Sequence, residues 1–167
     1  MDFYAYQRPV GKIDDIPKLR DEFIAIFDEK SKEDAVIFGL LYGRRLLDIT
    51  GVPPCKEITD SFIAMRRWLE GKTSYHEARN IPFSSLCRSV RKENDALKLR
   101  LYQTMAQISC IPHVKFHALW ASDFAVALVN RLYPNNMAEV RKERKAQSEL
   151  LRYATSDPMI SATFRQT

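Results

Sequence analysis

Two histidines four residues apart are the side chains whose types and spacing could do chemistry in this sequence. His113 and His117 are two of its three histidines. Residues at positions i and i+4 of a helix project from the same face, one turn apart. Two imidazoles placed in this way can ligate one metal ion, and Cys110, His76 or Asp123 could supply a further ligand. The pair is therefore a weak candidate for a metal site, or for part of a small-molecule pocket between helices.

The same two histidines also admit a structural interpretation. The glutamate of the zincin motif is missing between them, and Pro112 separates Cys110 from His113, so a preformed metal geometry does not follow from the spacing. Buried imidazoles commonly hydrogen-bond to neighbouring helices, because both ring nitrogens need partners. We predict no cofactor and no metal, and keep metal or small-molecule binding through His113 and His117 as an alternative function.

No recognisable catalytic motif accompanies the histidines. Ser122 and Asp123 lie nearby in the sequence, but Ser122 projects almost opposite to the histidines on a helix, so these residues do not form a local dyad. The sequence contains no phosphate-binding glycine loop, nucleophile elbow or paired CxxC signature. We therefore predict that the protein is not an enzyme.

A second group of side chains is suited to contact with a protein partner. Arginine and tryptophan are frequent anchors in protein recognition, and Arg66, Arg67 and Trp68 are consecutive. The alternative is that Trp68 packs in the core while the two arginines divide between surface and boundary, since adjacent helical residues point about 100° apart. The candidate pocket or partner-binding residues are His113, His117, Trp120, Arg66, Arg67 and Trp68.

The helix that carries the histidines is predicted to be the centre of the fold, at about residues 113–132. It is apolar nearly all round, which is typical of a buried helix. Elsewhere, apolar stripes at helical spacing follow capping boxes that begin at Ser31 and Ser74, and Pro82 is expected to kink or divide the second of these helices. No persistent alternation of period two is present. The chain is predicted to be an all-α bundle of six to eight helices.

Length, cysteine content and charge indicate the number of domains, the compartment and the possible partners. A chain of 167 residues is normally one domain; we predict it over residues 1–154, with an extended lead-in at 1–12 and a loose tail at 155–167. Three cysteines without paired spacing favour the cytoplasm, and neither a signal peptide nor a membrane span is expected. The net charge of +5 leaves nucleic-acid binding through the basic stretches 88–100 and 141–145 as a second alternative.

Several short segments resemble the Imm-5-like putative immunity proteins. They are WLEGK at 68–72, EAR at 77–79, HVKFHA at 113–118, ASDFA at 121–125, and PNN at 134–136 followed by ER at 143–144. The resemblance covers roughly residues 35–152 and implies an α-helical cytoplasmic protein that binds and neutralises a toxin, with no catalytic residues to carry over. The chain departs from the family pattern after EAR, where members often have an alanine-rich segment. Its basic net charge also does not suit an inhibitor of cationic nucleases.

Overall fold

The all-α prediction is confirmed. The structure is a computed structural model that describes residues 10–155, apart from the side chains of 79 and 81–85. Seven helices and no strand are present in this range, within the predicted number of six to eight. They are α1 (Pro17–Glu29), α2 (Lys32–Thr50), α3 (Lys56–Leu69), α4 (Tyr75–Lys92), α5 (Ala96–Ser109), α6 (His117–Leu132) and α7 (Met137–Tyr153). None of them is long and apolar enough to cross a membrane.

Local sequence signals account for several of the helix ends. Both predicted capping boxes form: Ser31 accepts a hydrogen bond from the backbone N–H of Asp34 before α2, and Ser74 caps α4 reciprocally with Glu77. At the end of α3, Gly71 takes a positive φ of 68°. Its N–H and that of Lys72 bond back to carbonyls of the last turn, which is the Schellman arrangement that glycine permits.

The centre of the bundle is α6, as the apolar pattern predicts, but this helix begins later than expected. All residues from 118 to 129 are buried except Trp120, which is half-buried. The helix starts at His117 rather than at 113, because Pro112 and the residues after it form turns in which the Cys110 carbonyl accepts from the N–H groups of His113 and Val114. Proline has no N–H and restricts the residue before it, so the α5 helix cannot continue smoothly into α6.

Two glycines allow neighbouring side chains to pack closely against the backbone of α2. A Cβ atom at Gly43 would lie 2.6 Å from Cζ of Phe62 on α3, and one at Gly39 would lie 2.7 Å from Cδ1 of Ile111. Such distances are shorter than a carbon–carbon contact allows. These two positions are one turn apart, so one face of α2 is open to the neighbouring side chains.

The remaining expectations concern Pro82 and the two ends of the chain. Helix α4 runs from Tyr75 to Lys92 as one element, so the division expected at Pro82 does not occur. Residues 10–16, which we call the strap, precede α1 without helical structure. Most of the predicted lead-in, at 1–9, and almost all of the predicted tail, at 156–167, lie outside the described residues, so these two predictions and the domain bounds stay untested.

Candidate functional site

The most unusual feature of the interior is a fully buried arginine on α7. The side chain of Arg144 has 0% exposure and forms a two-pronged ion pair with Asp15 of the strap, with Nε–Oδ1 and Nη2–Oδ2 distances of 2.8 and 2.6 Å. Its Nη2 also lies 2.7 Å from Oδ1 of Asp123 on α6. Burial alone would lower the pKa of Arg144, but hydrogen bonds and charge from the two carboxylates outweigh it and raise that pKa.

A second arginine approaches the same carboxylate from α1. Arg20 Nη2 donates to Oδ2 of Asp123 at 3.0 Å, and its Nε lies 3.0 and 3.2 Å from the two carboxylate oxygens. Asp15, Arg144, Asp123 and Arg20 thus alternate in charge. Two positive and two negative groups balance one another, which is the arrangement that makes buried charges tolerable.

Gln147 connects this ionic chain to a second one beside α2. Its Oε1 accepts from Arg144 at 3.0 Å, and its Nε2 donates to the hydroxyl of Tyr42 at 2.7 Å. The Tyr42 hydroxyl donates to Glu143, whose other carboxylate oxygen lies 2.6 Å from Nη1 of Arg45. Burial, followed by the charge of Glu143, raises the pKa of Tyr42 well above its ordinary value. We call the whole set, with Ser122, the buried ionic network.

The geometry of this network suits a structural role. Both carboxylate oxygens of Asp15, Asp123 and Glu143 contact donors, and these side chains are at most 3% exposed, so the packing keeps them away from solvent. Ser122 accepts from Arg144 at 3.2 Å and donates to the Leu119 carbonyl. The network joins the strap, α1, α2, α6 and α7, and therefore fixes how these elements pack.

This network was not predicted from the sequence, although a signal for it is present. Apolar Val140 and Leu151 are spaced to share one face of α7, and Arg144 and Gln147 lie between them at the same helical spacing. A charged side chain on an inward face indicates a buried partner. Asp123, inside an otherwise apolar helix, is the matching signal on α6.

The structure separates the two histidines that were predicted to share a helical face. His113 lies in the turn before α6 and stacks on Tyr75, with ring centroids 5.4 Å apart. His117 begins α6, where its Nδ1 lies 2.8 Å from Oε1 of Gln107 and its ring contacts the edge of Trp120. The two histidines therefore do not lie on one helix as predicted, because the turn after Pro112 replaces the expected helical turn. In the part of the chain that is described, no three His, Cys, Asp or Glu side chains are grouped to hold a metal ion.

The candidate partner-binding residues 66–68 are divided between core and surface. Trp68 is half-buried and packs against the main core, whereas Arg66 and Arg67 are both exposed. Trp68 thus lies at the edge of the core, the two arginines do not divide between surface and boundary as expected, and partner binding by this group stays a prediction. Arg67 lies close enough to the start of α4 for its charge to lower the pKa of Glu77, after the larger effect of the hydrogen bonds from Ser74 and Thr73.

Aromatic and apolar side chains lie at the surface beside His113. Tyr75 is 41% exposed; its ring stacks on that of His113 at a centroid distance of 5.4 Å and is tilted against that of the neighbouring His76 at 4.0 Å. Val114, next in the turn, is 36% exposed. We call Tyr75, His76, His113 and Val114 the aromatic patch. Tyrosine and histidine here offer an apolar surface with polar edges, which is typical of protein contact sites.

Comparison with known proteins gives one family match. A family model described as Imm-5 like putative immunity protein matches residues 25–154. This range contains the last turn of α1, all of α2 to α7 and the aromatic patch, whereas Asp15 and Arg20 of the buried ionic network precede it. Neither the curated proteins nor the solved structures contain a match.

Proposed function

The chain belongs to the Imm-5-like family of putative immunity proteins, and from this membership we propose that it neutralises a toxin by direct, non-enzymatic protein–protein contact. The family match over most of the chain is the observation that carries the proposal. The three cysteines, Cys55, Cys87 and Cys110, are an odd number without paired spacing, which favours a reducing compartment. We place the protein in the cytoplasm, where it would meet the toxin.

The physical character of the fold supports binding rather than catalysis. The buried charged groups are paired with one another and hold five parts of the chain in one arrangement. A surface that is rigid before the partner arrives loses little conformational entropy on binding, so more of the contact energy appears as affinity. This is the property that a stoichiometric inhibitor needs.

The test is to express candidate toxins, encoded beside the gene for this chain, in a sensitive host with and without the protein. We expect survival only when the protein is present, and a complex of the two purified chains on size-exclusion chromatography. Titration of toxin activity should end at equimolar protein, and the released toxin should have an unchanged mass. Inactivation by far less than one equivalent would indicate an enzyme, and protection without a complex would contradict direct contact.

The aromatic patch, together with Arg66 and Arg67, is our candidate contact surface. Tyr75→Ala removes an exposed aromatic ring, and Tyr153→Ala is a matched control because Tyr153 is 56% exposed on α7. If the patch contacts the toxin, the first variant should weaken binding about tenfold or more, the effect expected of a tyrosine anchor, and the control should not. Equal affinities of both variants and the wild type would remove the patch from the interface.

A further inference from the structure

A basic cleft lies at the end of the α5–α6 pair that is remote from the aromatic patch. It has a volume of about 300 Å³ and opens to solvent. Four parts of the chain form its walls: the strap, the start of α5, the end of α6 and the turn that follows. The lining residues are Lys12, Ile13, Arg100, Ala127, Asn130, Arg131 and Pro134. About 21 Å of helix separates Arg131 from the aromatic end of α6, so the two surfaces can be tested independently.

The charges in the cleft are all of one sign. Lys12, Arg100 and Arg131 line it, and no carboxylate does. Among the described residues none of these three cations forms an ion pair, whereas Arg20, Arg45 and Arg144 each pair with a carboxylate. The nearest acidic residue in the sequence, Asp14, is exposed and is absent from the lining.

The environment of Arg100 in the cleft disfavours its positive charge. Its guanidinium lies 5.8 Å from the ring centre of Phe124 and donates to Gln103 at 3.0 Å. Partial burial, and then repulsion from Arg131, lowers the pKa of Arg100. An anion between the two guanidinium groups would relieve both effects, because it supplies the missing opposite charge in a partly desolvated place.

The strap, which forms one wall of the cleft, is held in place by the buried ionic network and by Asn130. Asp15 binds Arg144, and the backbone of Asp14 exchanges two hydrogen bonds with the side chain of Asn130, at 2.9 and 3.0 Å. These contacts hold the strap against α6 and α7. Lys12, two residues before Asp14, therefore extends from a segment that these contacts hold in place beside the two arginines of the lining.

We propose that this cleft receives a carboxylate side chain from an acidic segment of the protein partner, bridged by Arg100, Arg131 and Lys12. This inference rests on the proposed function and assigns a charge to the partner. Guanidinium groups suit carboxylates because they offer parallel N–H donors. A protein segment fits better than nucleic acid because apolar Ile13, Ala127 and Pro134 share the lining. A nucleic-acid surface needs cations that follow a phosphate backbone, often with aromatic side chains for stacking.

The first experiment uses a short, end-blocked glutamate peptide as the probe. We expect peptide-induced NMR shifts at the backbone amides of Asn130 and Arg131 and at the Nε–H of Arg100, weakened by added salt. Arg131→Glu should reduce the affinity about tenfold, whereas Lys145→Glu, an equal charge change at an exposed site on α7, should have little effect. Lys12→Glu provides a second variant outside the helices. No shift at these amides, or equal losses in Arg131→Glu and Lys145→Glu, would overturn the proposal.

Two further comparisons separate the possible sources of the anion and the possible failures. An oligothymidine with the same number of charges should bind the cleft more weakly than the peptide; tighter binding would identify a phosphate site instead. With a neutralised toxin in hand, Arg131→Glu should weaken the complex and Lys145→Glu should not. If the toxin binds both variants equally, the cleft does not receive the partner, and the proposed function stands. If the peptide occupies the cleft but no toxin is neutralised, the proposed function is wrong although the cleft binds carboxylates.

Discussion

Removal of the buried guanidinium is the sharpest test of the structure. Arg144→Met keeps a long apolar side chain on α7 but removes the cation that faces two carboxylates. Asp123 retains Arg20, whereas Asp15, with a side chain 3% exposed, loses the two-pronged ion pair with Arg144. One buried carboxylate thus loses the guanidinium that binds both of its oxygens.

The expected loss of stability follows from the broken ion pair. Breaking a buried ion pair by removing one partner costs about 3–5 kcal/mol, because the remaining charge stays buried without the compensation that its partner gave. We expect Arg144→Met to lower the free energy of unfolding by about 4 kcal/mol, a large share of the roughly 5–15 kcal/mol typical of folded domains. In a chain of this size, that loss corresponds to a fall in Tm of roughly 8–16 °C.

Urea denaturation followed by circular dichroism gives the free energies, and two variants control the interpretation. Arg141→Met removes an exposed arginine from the same helix and should change stability by less than about 0.5 kcal/mol. Asp15→Asn should cost less in the Arg144→Met background than in the wild type, with a coupling of at least about 1 kcal/mol. A loss in Arg144→Met no larger than in Arg141→Met, or strict additivity with Asp15→Asn, would refute the reasoning.

Three further variants test other contacts of the fold. Because the pKa of Tyr42 is raised in the folded protein, its contribution to stability is complete below its ordinary pKa of 10.0 and declines as pH rises above that value. Tyr42→Phe should remove this part of the alkaline decline in the free energy of unfolding, measured by chemical denaturation. An unchanged dependence of that free energy on pH would contradict the prediction. The same variant leaves a Glu143 oxygen without its phenolic donor and should cost about 1–3 kcal/mol at pH 7. Gly43→Ala should lower Tm despite the better helix propensity of alanine, because overpacking against Phe62 costs about 1–3 kcal/mol; an increase in Tm would show that the ring moves freely. Ser74→Ala should cost about 1 kcal/mol through loss of the α4 cap, and unchanged thermal unfolding would count against that cap.

Helix positions were predictable because local side chains determine them. The hydroxyls of Ser31 and Ser74 satisfy backbone N–H groups within their own turn, so the capping boxes could be identified without knowledge of the fold. The apolar character of α6 likewise predicted its central position. The start of α6 was less accessible, because the spacing of His113 and His117 fits a helix but Pro112 favours a turn, and periodicity does not decide between them.

The interior charges depend on contacts that no local pattern contains. Asp15 and Arg144 are 129 residues apart, and Tyr42 and Glu143 are 101 apart. The helical spacing of α7 places Arg144 on the inward face, but it does not identify the carboxylates that pair with it. The basic cleft is equally non-local, since Lys12 and Arg131 come from opposite ends of the described chain.

The same sequence separations affect how the chain acquires its structure during synthesis. Domains begin to fold from the N-terminus as the ribosome releases them, and α7 is the last of the described helices to emerge. Until Arg144 and Gln147 leave the exit tunnel, Asp15, Asp123 and Tyr42 lack partners that the finished protein gives them. Closing such long loops is entropically costly. We therefore expect the nascent chain to stay open and accessible to chaperones and proteases until α7 docks, so that the final step of folding joins the strap, α1 and α2 to the newest helix.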